Sequence, residues 1–205
     1  MERNMNIDDR FNLRQYTEHI AEYVEAKQTK EVGGGSMLDR LALLTKYVPF
    51  GSSIFEIGSG AGEDALALQS AGYIVKASDF VPGFVSRCKD KGLDATIFDA
   101  KSEELPGNFD AIYANAVFVH FGPDETTNFL ARAKQHLTGG KIVFLSVLKG
   151  EGTHREARGR GFERDFQYYD VGLLTQIMHK SGYTMLISRV IDDKWIQVVA
   201  KIKDN

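Results

Sequence analysis

A chain of 205 residues has the length of one compact domain, and 43% hydrophobic with 26% charged residues suits a globular core in a charged shell. Lys and Arg number 25 against 28 Asp and Glu, and the net charge of −3 disfavours duplex DNA or bulk RNA as a partner. One cysteine, Cys88, excludes an internal disulfide and a cysteine-based metal cluster.

The first ten residues are polar and carry no signal-peptide core, and no apolar run approaches the ~18 residues of a membrane span. A reduced, cytoplasmic protein is expected. Phe11, Tyr16, Ile20, Tyr23 and Val24 fall at helical spacing and predict an amphipathic helix, stopped by Gly33, Gly34 and Gly35. Ser36 with Asp39 three residues later forms a capping signal for a second helix, with Leu38, Leu41, Leu44 and Val48 as its stripe and Pro49 as its end. From Ser53 the rhythm changes. Strands are predicted over 54–57, 73–78, 95–98, 109–114 and 141–147, with helices over 62–71, 81–91 and 124–137 closing on Gly139-Gly140. This alternation means βαβ units and a mostly parallel sheet. A helix over 171–181 precedes strands over 183–188 and 194–202. Their short joint at Asp192-Asp193 forces an antiparallel pair, because a parallel crossover needs a dozen or more residues. The stretch 149–166 mixes Arg155, Arg158, Arg160 and Arg164 with nearly as many acids and reads as a loop, either solvated or gripping a substrate. The division expected is a helical cap over 1–48 and a Rossmann-like core over 53–203, within one domain over 1–205.

The chemistry concentrates where the first strand runs into Glu56-Ile57-Gly58-Ser59-Gly60-Ala61-Gly62. Glycines permit a tight turn and close approach of a ligand, and the following helix offers unpaired N–H groups to an anion. A dinucleotide fingerprint begun at Gly58 needs its third glycine at position 63, which is Glu63. Asp79, 21 residues beyond Gly58, is placed to accept ribose hydroxyls, and Asp99 follows 20 residues later at the next strand end. Each alone also reads as a turn glycine or a strand-end aspartate.

The glycines at 58, 60 and 62, with Glu56 before them and the two aspartates after, resemble class I S-adenosylmethionine-dependent methyltransferases. The similarity extends through Tyr16–Tyr23, Ala114–His120, 149–162 and 195–198, and points to small-molecule enzymes akin to the tellurite-resistance methyltransferases. It departs at Glu56, Ser59 and Asn115, where aspartate, cysteine and cysteine are commoner. The resemblance implies a three-layer α/β sandwich on a seven-stranded sheet with an antiparallel C-terminal pair. It implies S-adenosylmethionine as cofactor, S-adenosylhomocysteine as product and a small-molecule acceptor, in a monomer or homodimer without nucleic acid. The cofactor residues it implies are Tyr16, Glu56, Gly58, Ser59, Gly60, Gly62, Asp79, Phe80, Asp99, Ala100 and Asn115. Tyr23, Arg160 and Arg164 are implied for the acceptor. A dinucleotide oxidoreductase, a silent S-adenosylmethionine-binding module and an RNA methyltransferase are the alternatives. Cys88 reads as a buried thiol, and no histidine pair has metal-ligand spacing. His120, six residues past Ala114, is the candidate base facing the acceptor, or else a packing residue against Phe118 and Phe121.

Overall fold

The computed structural model describes residues 7–29, 35–157 and 162–203. Three helices come first: α1 (Asp9–Glu18), α2 (Ile20–Thr29) and α3 (Met37–Leu44). The expected single N-terminal helix is therefore two. It breaks at His19, whose φ of −121° and ψ of 31° leave the helical region. Ser36 caps α3 as its sequence predicts, accepting the Asp39 N–H at 3.1 Å and donating to the Asp39 carboxylate at 2.7 Å. The helix stops at Leu44, short of Pro49, and the chain reaches the sheet through turns.

Parallel strands β1 (Ser53–Ile57), β2 (Ile74–Asp79), β3 (Ala95–Ile97), β4 (Phe109–Asn115) and β5 (Leu137–Lys149) follow, lying in the order β3-β2-β1-β4-β5. The chain steps outward from β1 to β3 and then returns to pair β4 on the other side of β1. That reversal opens a crevice at the carboxyl ends of β1 and β4. The connections hold α4 (Glu63–Ser70), α5 (Pro82–Asp90) and α6 (Pro123–Ala133). The glycines at 139 and 140 do not stop α6, because a 3₁₀ turn over 134–136 leads directly into β5. Gly139 instead sits inside the strand, where a Cβ would lie 2.0 Å from the Asp110 carboxylate.

The stretch expected as a loop forms a hairpin, β6 (Thr153–Ala157) with β7 (Glu163–Tyr169), and β7 joins β5 through Leu148–Tyr168 and Lys149–Tyr169. Arg164, Asp165, Phe166, Gln167 and Tyr169 are all buried, so no polar face alternates with an apolar one to reveal a strand. Helix α7 (Val171–Lys180) leads to β8 (Tyr183–Ile191) and β9 (Trp195–Ile202). β9 lies antiparallel between β5 and β8, completing the expected seven strands as β3-β2-β1-β4-β5-β9-β8. Asp192 and Asp193 turn the chain at φ 50° and 52°, the left-handed pair that matches hairpin twist.

The central strands are buried on both faces, which is why they read as unbroken apolar runs. Ile112 and Ala114 of β4 pack with Phe129, Leu130, Leu174 and Met178 on one side. Ala111 and Tyr113 pack with Leu43, Leu44 and Leu68 on the other. No helix among the described residues is long and apolar enough to cross a membrane.

Candidate active site

β1 delivers the chain to a turn in which Gly58, Gly60 and Gly62 are all left-handed, at φ 68°, 55° and 88°. A Cβ at Gly58 would lie 2.4 Å from Val117 Cγ2, and one at Gly62 would lie 2.7 Å from Leu93 Cδ1. Both positions thus need glycine for conformation and for space. The turn is tied to β2 through Ser59 Oγ, which accepts the Ser78 N–H at 3.0 Å and donates to the Ser78 carbonyl at 3.2 Å. Asp79 ends β2 only 7% exposed. Its Oδ2 accepts the Gly60 N–H and its Oδ1 the Val81 N–H, both at 2.8 Å.

Gly58, Gly60, Asp79, Phe80, Asp99, Ala100 and Asn115 line one cleft at the carboxyl edge of the sheet, together with Tyr16, Tyr23 and His120. Asp99 is braced by the Lys101 N–H at 2.9 Å and the Ser102 hydroxyl at 2.6 Å. Asn115 receives the Ser146 hydroxyl on its oxygen and donates to Asp64. Ala116, next in the lining, holds a left-handed φ of 59°, a strained geometry for a residue with a Cβ.

Four of the expected residues stand elsewhere. Glu56 is 2% exposed beneath the loop, and Ser59 spends its hydroxyl on β2. Gly62 caps α4 against Leu93 and Cys88. These three shape the loop and do not line the cleft. The fourth, Arg164, lies buried against the rings of Phe162, Phe166 and Tyr16 at 4.4, 5.1 and 5.3 Å. Its Nη1 reaches the Tyr16 hydroxyl at 3.3 Å. Arg160 and the glycines at 33 and 34 lie outside the described residues.

His120 meets the cleft with both ring nitrogens engaged. Nδ1 lies 2.9 Å from the Asp165 backbone carbonyl and Nε2 lies 2.9 Å from Tyr16 Oη. Nδ1 also lies 3.3 Å from the Asn12 amide nitrogen, but the shorter contact is to a carbonyl that can only accept, so Nδ1 carries the proton and Nε2 accepts from the Tyr16 hydroxyl. Burial lowers the His120 pKa to about 4, with Arg164 and Lys101 adding to the shift. Burial raises the Tyr16 pKa to about 12. The expected free histidine base is therefore a neutral ring with no vacant nitrogen.

Sequence reasoning missed two polar hubs. Asp165 accepts Arg155 Nε and Nη2 at 2.7 and 3.0 Å and the Asp8 N–H at 3.0 Å, while its backbone pairs both ways with the Asn12 amide. Burial pushes its carboxyl up, but the Arg155 and Asp8 bonds outweigh that and hold it below the usual range. Beneath the cleft, Asp64 receives Arg40 at 2.8 and 3.0 Å and the hydroxyl of Tyr113 at 2.8 Å. At the cleft mouth, Lys101 Nζ donates to Asp9 at 2.6 Å and lies 2.9 Å from Glu125. Locally these charges look like a solvated surface, and only the folded chain brings them together.

A doubly wound sheet with a glycine turn at β1 and acidic residues closing the cleft at successive strands defines the class I methyltransferase architecture. Residues 54–140 match the family described as "Methyltransferase domain". Two solved structures share the fold. One is the 1,6-didemethyltoxoflavin-N1-methyltransferase of Burkholderia thailandensis, at TM-score 0.71 and 17% identity over 94% of this chain and 88% of that one. The other is a TehB-like SAM-dependent methyltransferase from Corynebacterium glutamicum, at TM-score 0.70 and 16% identity over 91% and 99%. Hemagglutinin 1 of Eikenella corrodens is 29% identical over 100 residues, which are 45% of this chain and 33% of that protein. The chain thus spans about a third of the length of that relative.

Proposed function

We propose that the protein transfers the methyl group of S-adenosylmethionine to a small-molecule acceptor, leaving S-adenosylhomocysteine. The observation that carries this reading is Asp79, held by the Gly60 and Val81 amides at the cleft wall beside a left-handed glycine turn. An anchored carboxylate of this kind suits a ribose diol, and the aromatic and apolar groups of Phe80, Phe98 and Ala100 beside Asp99 suit a purine ring. The donor set fits the nucleoside. When bound, the cofactor supplies an activated methyl group on a sulfonium.

The chain's own work is then alignment and exclusion of water. Asp79, Phe80, Asp99 and Ala100 hold the nucleoside end, and Gly58, Gly60 and Asn115 leave room beside β1 and β4. Tyr16 and Tyr23, carried on α1 and α2, cover the cleft, and Tyr16 packs edge-on against Tyr23 with ring centres 5.5 Å apart. A small acceptor suits a cleft roofed in this way, and the similar B. thailandensis enzyme is named for methylating a small molecule.

Calorimetric titration tests the reading. S-adenosylmethionine and S-adenosylhomocysteine are expected to bind while NADH does not. Binding of NADH alone would restore the oxidoreductase alternative. Screening acceptors for S-adenosylhomocysteine release then separates an enzyme from a silent binding module.

A further inference from the structure

We infer that Tyr16 is a catalytic residue of the methyl transfer, relaying the acceptor's proton to His120. The inference rests on the methyltransferase reading above. Its foundation is the directed chain from the cleft into the protein. The Asp165 carbonyl fixes the proton on His120 Nδ1 at 2.9 Å, which leaves the Nε2 lone pair to the Tyr16 hydroxyl at 2.9 Å. Asp165 is itself immobilised, because Asn12 pairs with its backbone N–H at 2.8 Å and its carbonyl at 3.2 Å. The orientation of the ring is thus set from behind.

A phenol oxygen has two acceptor directions beside its own O–H. At Tyr16, Arg164 approaches one of them at 3.3 Å, and an acceptor's N–H or O–H takes the other. Tyr16 and His120 both line the cleft, so an acceptor bound there has the Tyr16 hydroxyl within its walls. Tyr16 does not dissociate in the resting protein, because burial keeps its pKa near 12. It therefore gives up its proton only as it gains another. The charged and titratable groups that face this pair are Arg164, Lys101, Asp165, Asp79 and Tyr23.

For a phenol acceptor, the oxygen lone pair forms the O–C bond while the C–S bond breaks, and that bonding pair stays on sulfur. The oxygen becomes an oxonium and its O–H strongly acidic. This proton moves to Tyr16 Oη as the Tyr16 proton moves to His120 Nε2. His120 finishes as an imidazolium, with Nδ1–H still on the Asp165 carbonyl, and returns its proton to water when the product leaves. His120 is a positioning residue and proton store that acts through Tyr16.

The test compares two kinds of acceptor at saturating S-adenosylmethionine, reading S-adenosylhomocysteine release. A panel of phenols must shed a proton, whereas 4-nitrothiophenol is already ionised at neutral pH. Tyr16→Phe keeps the ring, and His120→Gln keeps an oxygen that can hold Tyr16 in place without being a base. Each is expected to lower the ratio of phenol turnover to thiolate turnover by ~10²-fold. The double variant should be no worse than either single one, as for groups acting as a unit. An unchanged ratio in Tyr16→Phe overturns the inference. So does a wild-type protein that binds S-adenosylhomocysteine and methylates the thiolate yet no phenol. Failure of the wild type to bind S-adenosylhomocysteine at all overturns the methyltransferase reading beneath it, and calorimetry distinguishes that case.

Discussion

Asp79 holds the Gly60 and Val81 amides through one carboxylate oxygen each. An ionised carboxylate oxygen offers about two lone-pair directions, so loop anchoring and ribose binding can share the side chain. Asp79→Ala is therefore expected to act twice. It leaves two amide donors unsatisfied, at about 1–3 kcal/mol each, and removes charged bonds to the ligand. Affinity for S-adenosylhomocysteine should fall about tenfold or more, together with the thermal midpoint, and calorimetric titration with a melting curve reads both. His120 makes a prediction in pH. Its pKa falls from 6.5 to about 4 in the folded chain, so the unfolded chain binds the extra proton first. Stability contributed by the neutral ring is complete above pH 6.5 and drains away as the pH drops towards 4. At ~1.4 kcal/mol per unit the loss reaches at most about 3 kcal/mol. Urea midpoints at pH 7 and pH 5 should converge for wild type and His120→Gln, and parallel curves would show that His120 titrates normally.

At the scale of elements, two attachments hold the helical cap. Helix α3 enters through Arg40, only 4% exposed, which pairs with Asp64 and donates through Nε to Tyr113 Oη at 2.9 Å. Arg40→Ala leaves the part-buried Asp64 carboxylate to Tyr113 and Asn115, and about 1.5–3 kcal/mol of stability should go with the lost charged bonds in a urea titration. Helix α1 is fastened by Asp8 and Asn12 to Asp165 and by Asp9 to Lys101. If α1 and α2 open to admit ligands, their amide exchange should slow on adding S-adenosylhomocysteine, and Asp165→Asn should quicken exchange in α1 before that in the sheet. Equal exchange with and without ligand would make them fixed walls. These fastenings explain what the sequence could and could not reveal. The glycine turn, Asp79 and Asp99 were legible because each is a local signal at a strand end, repeated at regular spacing. Asp165 was not, because its partners Asp8 and Asn12 lie more than 150 residues away and its charge neighbours appeared to cancel. Burial of Arg164 and Asp165 also erased the alternation that would have shown β7 as a strand.

For the molecule as a whole, the reversal of strand order at β1 and β4 collects residues from distant parts of the chain around one crevice, while the cap supplies Tyr16 and Tyr23 from above. The sole cysteine lies on the hidden side of that crevice. Cys88 Sγ reaches the Gly60 carbonyl at 3.4 Å, and burial beside Glu56 and Asp79 lifts its pKa to about 12. It is thus masked from alkylating reagents while the glycine turn is in place, since only a thiolate reacts. The protein therefore carries its own single-site clock for breathing of the turn. The rate at which iodoacetamide adds one carbamidomethyl group, followed by intact mass, should report that opening without any engineered label, and it should slow further when S-adenosylhomocysteine clamps the turn shut.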